Sequence, residues 1–147
     1  MIRPNARIND MITLKRSDLE KIISYAEKLL PSEACGLIAG SIDRQGNKIV
    51  EKVYLLTNTD NSNEHFSMDP REQFQAVKDM RANSLTPLGN WHSHPETPSR
   101  PSNEDKRLAY DSSASYMILS LMDRTAPVIN SFHIEDDIST KEELVIV

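Results

Sequence analysis

The chain has 147 residues, 38% of them hydrophobic and 27% charged, enough apolar material for one domain that builds its own core without disulfides. Its formal net charge of −5 argues against a general nucleic-acid binder, which needs a basic face. No apolar run approaches the roughly 20 residues of a membrane helix, and the opening MIRPNARINDMITL has no signal-peptide core. A single cysteine, Cys35, allows no intrachain disulfide, so the expectation is a globular protein of a reducing, cytoplasmic compartment.

Residues 1–11 are polar, contain Pro4 and show no period; they read as a flexible leader to a domain spanning 12–147. In SDLEKIISYAEKLLP, Ser17 and Glu20 match a capping box, and Leu19, Ile22, Ile23, Ala26 and Leu30 recur at helical spacing until Pro31 stops the helix. ACGLIAGSI and KIVEKVYLLTN read as two strands joined by the turn DRQGN, a hairpin. Residues 57–67 form a polar loop. DPREQFQAVKDMRAN is a second helix, with Asp69 as its cap and Pro70 in the first helical position.

A strand follows in TPLGNWHSH, then a proline loop, then a short third helix in SNEDKRLAYD, opening on Ser102 and Asp105. SYMILSLM and PVINSFHIE are further strands, and EELVIV adds a strand at the sheet edge. Helices interleaved with a largely antiparallel sheet give an α/β or α+β class, with the helices packed on the sheet. Met117, Met122 and the other methionines read as core. His133 alternates with Phe132 and Ile134 and is expected to face solvent.

The chemistry concentrates in GNWHSHPETPSRPSNEDKR. Residues i and i+2 of a strand share a face, so His92 and His94 present two imidazoles side by side while Trp91 and Ser93 point away. Asp105 returns from the first turn of the third helix, across the loop of Pro95, Pro98 and Pro101. Two histidines and one carboxylate leave a fourth position open, as in catalytic zinc sites. Each piece also has a plain reading: exposed histidines, an acid favouring a helix dipole, and a serine that only caps.

Together these residues resemble the JAMM/MPN+ zinc metallopeptidases. HSHPETPSRPSNED matches that family's His-x-His, seven residues, Ser, two residues, Asp signature at His92, His94, Ser102 and Asp105. PSEACGLIAG matches its upstream glutamate at Glu33. The likeness runs from Ile12 to about Ile134, including HFSMDPREQF. It implies a single JAMM/MPN domain with a layered, cytidine-deaminase-like architecture, and one Zn²⁺ held by His92, His94 and Asp105. Glu33 and Ser102 would be the catalytic pair, Glu33 as general base and Ser102 as oxyanion donor. Cys35, two residues after Glu33, reads as core packing.

The resemblance also implies a substrate class. The chain has little room for the insertions of the larger deubiquitinases, so it looks like the small prokaryotic kind. Those enzymes hydrolyse the bond after the C-terminal Gly-Gly of a ubiquitin-like or sulfur-carrier protein, releasing cysteine or a conjugated protein. Partners other than this carrier are not expected: neither nucleic acid nor membrane, with a homodimer left open. Arg100, Lys106 and Arg107 flank the mouth, where a solvated face is the simpler reading. His65 reads as a surface histidine. The competing reading is a non-catalytic MPN scaffold that binds proteins; such scaffolds lack ligands that this chain has. A deaminase would need His/Cys/Cys ligands, which one cysteine does not supply.

Overall fold

The computed structural model describes residues 10–147. In chain order the elements are β1 (Met11–Leu14), α1 (Arg16–Leu29), β2 (Cys35–Ile42), β3 (Lys48–Leu56), α2 (Pro70–Ala82), β4 (Thr86–His94), α3 (Asn103–Leu108), β5 (Ser115–Ser120), β6 (Val128–Glu135) and β7 (Ile138–Ile146). The strands run β1-β3-β2-β4-β5-β6-β7 and close into a barrel where β7 meets β1. β2–β3, β2–β4, β5–β6 and β6–β7 are antiparallel; β1–β3, β1–β7 and β4–β5 are parallel. The expected hairpin, mixed sheet and flanking helices are all present. The leader expected over 1–11 falls mostly outside the described residues, and Met11 is the first residue of β1.

Strand alternation sorts the apolar side chains onto two faces. On one face Ile12, Leu14, Ile38, Val50, Trp91, Met117 and Leu119 pack with Ile22 and Ala26 of α1 into the main core. On the other, Ala39, Tyr54 and Leu56 meet Ala76 and Met80 of α2. Further along that second face, Ile118, Phe132 and Ile134 pack with Ala109 and Tyr116 beside α3. Helices therefore cover both sides of the sheet, the layered arrangement the resemblance implies.

Four expectations need correction. Ser17 does not cap α1: the helix starts at Arg16 behind Lys15, with no side-chain cap bond. The entry is held instead by backbone, Arg16 N–H donating to Val147 O at 2.9 Å and Val147 N–H to Leu14 O at 3.0 Å. The last strand is not an edge, because β7 pairs with β6 on one side and β1 on the other. Met122 is exposed rather than core, since β5 has already ended at Ser120.

His133 does not face solvent. It is buried, because the face it shares with Ser131 looks toward the main core and β7 closes over it. Its Nδ1 lies 3.1 Å from Ala114 O, and its Nε2 lies 2.8 Å from Glu142 Oε2 and 3.2 Å from Asp10 Oδ1. Burial alone would raise the Glu142 carboxyl, but hydrogen bonds from His133 and from Ser131 outweigh it and hold the group at about 2.

Gly36 lets the two central strands close on Trp91. A Cβ there would sit 1.8 Å from Tyr54 O and 2.3 Å from the indole Nε1, which itself donates to Tyr54 O at 3.1 Å. Gly36→Ala should therefore cost about 3 kcal/mol, through overpacking plus loss of that bond. Urea denaturation measures it; a variant as stable as the parent would mean the strands separate without penalty.

Candidate metal centre

β4 carries Trp91 into the main core and so turns His92 to the opposite face, where His94 joins it; both are about 95% buried or more. The loop after β4 is fastened at several points. His94 Nδ1 donates to Pro98 O at 2.9 Å, Ser120 Oγ to Thr97 O at 2.6 Å, and Ser99 Oγ to Ile118 O at 2.6 Å. Asn130 Nδ2 adds a bond to Ser99 O at 3.3 Å. With β4 and β5 parallel, these bonds fold the proline loop back over the end of both strands.

The loop delivers α3 with a complete capping box. Ser102 Oγ accepts from Asp105 N at 3.0 Å, and Ser102 N donates to Asp105 Oδ2 at 2.9 Å. The same Oδ2 lies 3.1 Å from His92 Nε2 and 3.2 Å from His94 Nε2, and the two Nε2 atoms are 3.1 Å apart. Three ligand-type atoms thus converge on one point. Asp105 is held well below the usual carboxylate range: burial opposes ionisation, but hydrogen bonds from both histidines win. The same contacts raise His94 despite its burial.

Glu33 stands at the entry to β2 and is 4% exposed. Its backbone is pinned on both sides, N–H to Ser62 O at 2.6 Å and O from Asn58 Nδ2 at 2.9 Å. One residue on, Ala34 N donates to Ser93 Oγ at 2.8 Å and Ala34 O accepts from Ser93 N at 2.9 Å, which ties Glu33 to the histidine strand. Burial lifts the Glu33 carboxyl from 4.5 to about 8; His94 opposes this, while Asp105, Glu104 and Glu64 reinforce it. The structure brings His92, His94 and Asp105 together, sets Ser102 beside Asp105 through the capping box, and places Glu33 within electrostatic reach of His94 and Asp105.

Other residues were not singled out by the sequence. Phe66 stacks on His92, with ring centroids 4.6 Å apart and planes 24° off parallel. Asn58 is a four-bond hub: it donates to Glu33 O and His65 O and accepts from Asp60 N and Ser67 N. Between β3 and α2 Phe66 is the one Phe, Tyr or Trp among polar residues, whereas Asn58 is one of three asparagines there and carries no signal of its own. His65 is on the surface as expected, and its Nδ1 pairs with Glu104 on α3, across the cleft. Arg100 and Arg107 are exposed and Lys106 is half-buried. Cys35 is core: its side chain is fully buried, and burial pushes its thiol up to about 12. Among the described residues one further group of metal-type ligands converges, Asp10, His133 and Glu142. Its 2.8 Å contact is the length of a direct hydrogen bond.

The Glu33 shift has a stability consequence. Its folded pKa lies above its ordinary value, so the native state binds the extra proton between pH 4.5 and about 8. Metal-free stability therefore falls as pH rises through that window. Metal-free Glu33→Gln should melt several degrees above the parent near pH 8 and together with it near pH 4.5. Equal differences at both pH values would show that Glu33 is not buried as a carboxylic acid.

Residues 15–135 match the family described as prokaryotic homologs of the JAB domain. The CysO-cysteine peptidase of Mycobacterium tuberculosis is 30% identical over 133 residues, 90% of this chain and 89% of that protein. The desampylase of Pyrococcus furiosus is 36% identical over 73 residues, half of each chain. A solution structure of a Desulfitobacterium hafniense protein superposes with a TM-score of 0.85 at 53% identity, covering 93% of both chains. No helix among the described residues is long and apolar enough to cross a membrane. Sequence match, fold and site composition agree: this chain belongs to the prokaryotic JAB-domain family, the small prokaryotic kind of JAMM/MPN peptidase, and is an enzyme of that class.

Proposed function

We propose that the chain is a zinc-dependent peptidase that hydrolyses the bond after the C-terminal Gly-Gly of a sulfur-carrier or ubiquitin-like protein in the cytoplasm. The observation that carries this reading is the convergence of His92 Nε2, His94 Nε2 and Asp105 Oδ2 within 3.2 Å of one another, with a buried acid at the same cleft. The donor set fits zinc, which takes imidazole nitrogen and carboxylate oxygen in tetrahedral sites. The buried, unpartnered Nδ1 of His92 fits too, since a ring that binds through Nε2 must keep its proton on the other nitrogen.

Bound at these three residues, zinc would polarise the scissile carbonyl and bring the pKa of a water toward about 7. Glu33 is the group that moves protons. As a carboxylate, the form that a cation at the adjacent ligands would favour, it takes a proton from water and then hands it to the leaving amine. Ser102 accepts the Asp105 amide at its Oγ, so its own hydroxyl proton stays available to donate to an oxyanion. Phe66 covers one side of His92 and keeps bulk water off the ligands. The loop bearing His65 is joined to the helix bearing Glu104 by a side-chain contact beside the ligands, and glycine is the residue that lets a substrate backbone approach closely there.

The relative named for the CysO-cysteine bond favours release of cysteine from a sulfur carrier, and the one named desampylase favours a ubiquitin-like conjugate. Intact-mass spectrometry decides the chemistry: a Gly-Gly-ended carrier bearing a C-terminal cysteine, incubated with the zinc-loaded chain, should lose that cysteine. Glu33→Gln should keep its zinc and lose turnover. Ser102→Ala should lower kcat by about 10² to 10³. A zinc-loaded parent that leaves both the cysteine adduct and a lysine-linked conjugate intact would overturn the peptidase reading.

A further inference from the structure

The two histidines of the centre are not held alike. His94 Nδ1 donates to Pro98 O at 2.9 Å, the kind of backbone acceptor that fixes a metal-binding imidazole in its tautomer and orientation. His92 has no such partner: its Nδ1 is buried and makes no hydrogen bond, in a residue only 3% exposed. With Nε2 turned toward His94 and Asp105, that Nδ1 must carry the ring proton when the residue binds a metal, and a buried N–H without an acceptor is costly.

A matching acceptor stands nearby. Asn90 Oδ1 is also buried and without a hydrogen-bond partner. Asn90 precedes His92 by two residues on β4, so the two side chains leave the same face of the strand. Both line one cavity of about 60 Å³, whose other walls include Phe66, Tyr116, Ile118 and Ile134. That space accommodates a water, and a water needs polar partners to stay. An orphaned donor and an orphaned acceptor supply them, on walls that are otherwise mostly apolar apart from Asp105 and Tyr116.

We propose that Asn90 is a positioning residue for His92, its side-chain oxygen accepting the Nδ1 proton through a water held in this cavity. The inference rests on the reading of His92 as a zinc ligand through Nε2. Phe66 fixes the plane of the ring by stacking, and Asn90 fixes its proton and its rotation in that plane. Asn90 itself is set by β-pairing on both sides, opposite Leu37 of β2 and Tyr116 of β5.

The test is the zinc affinity of the full chain, read by competition with a chromophoric chelator. Asn90→Leu fills similar space without an acceptor and should weaken zinc binding by about 10- to 100-fold. Asn90→Asp keeps an oxygen at the same reach and should restore affinity to within a few-fold of the parent. Nitrogen-15 spectra of the zinc-loaded proteins give a second readout. The His92 Nδ1–H should be protected from exchange in the parent and in Asn90→Asp, and exposed in Asn90→Leu. Thermal melts of the metal-free variants establish that each is folded. Undiminished zinc affinity in Asn90→Leu, or an Asn90→Asp protein as weak as it, would overturn the role of Asn90 alone. A parent that binds no zinc, or binds it equally well as His92→Ala, would remove both this role and the reading beneath it.

Discussion

The burial of Trp91 is the constraint on which the site depends. The indole is wholly inside the main core, stands edge-on to Tyr25 of α1 with centroids 6.3 Å apart, and donates to Tyr54 O two strands away. An indole of this size, hydrogen-bonded and packed by α1, cannot turn outward without leaving a large hole and an unpaired N–H. With Trp91 fixed inward, the strand has one register, and His92 must leave from the other face. The orientation of the two histidines is therefore inherited from the core behind them.

Asp105 is where folding and chemistry meet. One oxygen, Oδ2, serves as the reciprocal arm of the α3 capping box and also faces both imidazoles. The helix is only six residues long and buries no side chain fully, so the box and the pinned proline loop do the work that packing does for longer helices. Nearly all that defines where Asp105 lies comes from Ser102 and from the bonds at Thr97, Pro98 and Ser99. Glu33 is held by a different set of bonds, Asn58 and Ser62 at its own backbone and Ser93 of the histidine strand at the next residue.

The local features of the fold were legible in the sequence because their causes are local. Asp69 and Pro70 start α2, Ser102 and Asp105 start α3, and DRQGN turns the β2–β3 hairpin, each through bonds within a few residues. The spacing of His92, His94, Ser102 and Asp105 made their convergence legible for the same reason. Failures came where a distant strand decides. His133 looked solvent-facing by alternation, but both faces of β6 are covered, so alternation there separates two interiors rather than inside from outside. Ser17 looked like a cap, yet the C-terminal residue of the chain, Val147, holds the entry to α1. Asn58, Phe66 and Asn90 carry no motif, and their parts follow only from which atoms the fold brings beside Glu33 and His92.

The central claim is that His92, His94 and Asp105 hold one zinc ion. Anomalous diffraction at the zinc edge, from crystals grown with one equivalent of zinc, tests it most directly. One strong peak is expected within coordination distance of His92 Nε2, His94 Nε2 and Asp105 Oδ2. A peak at Asp10, His133 and Glu142 instead, or no peak at either cluster, would contradict it.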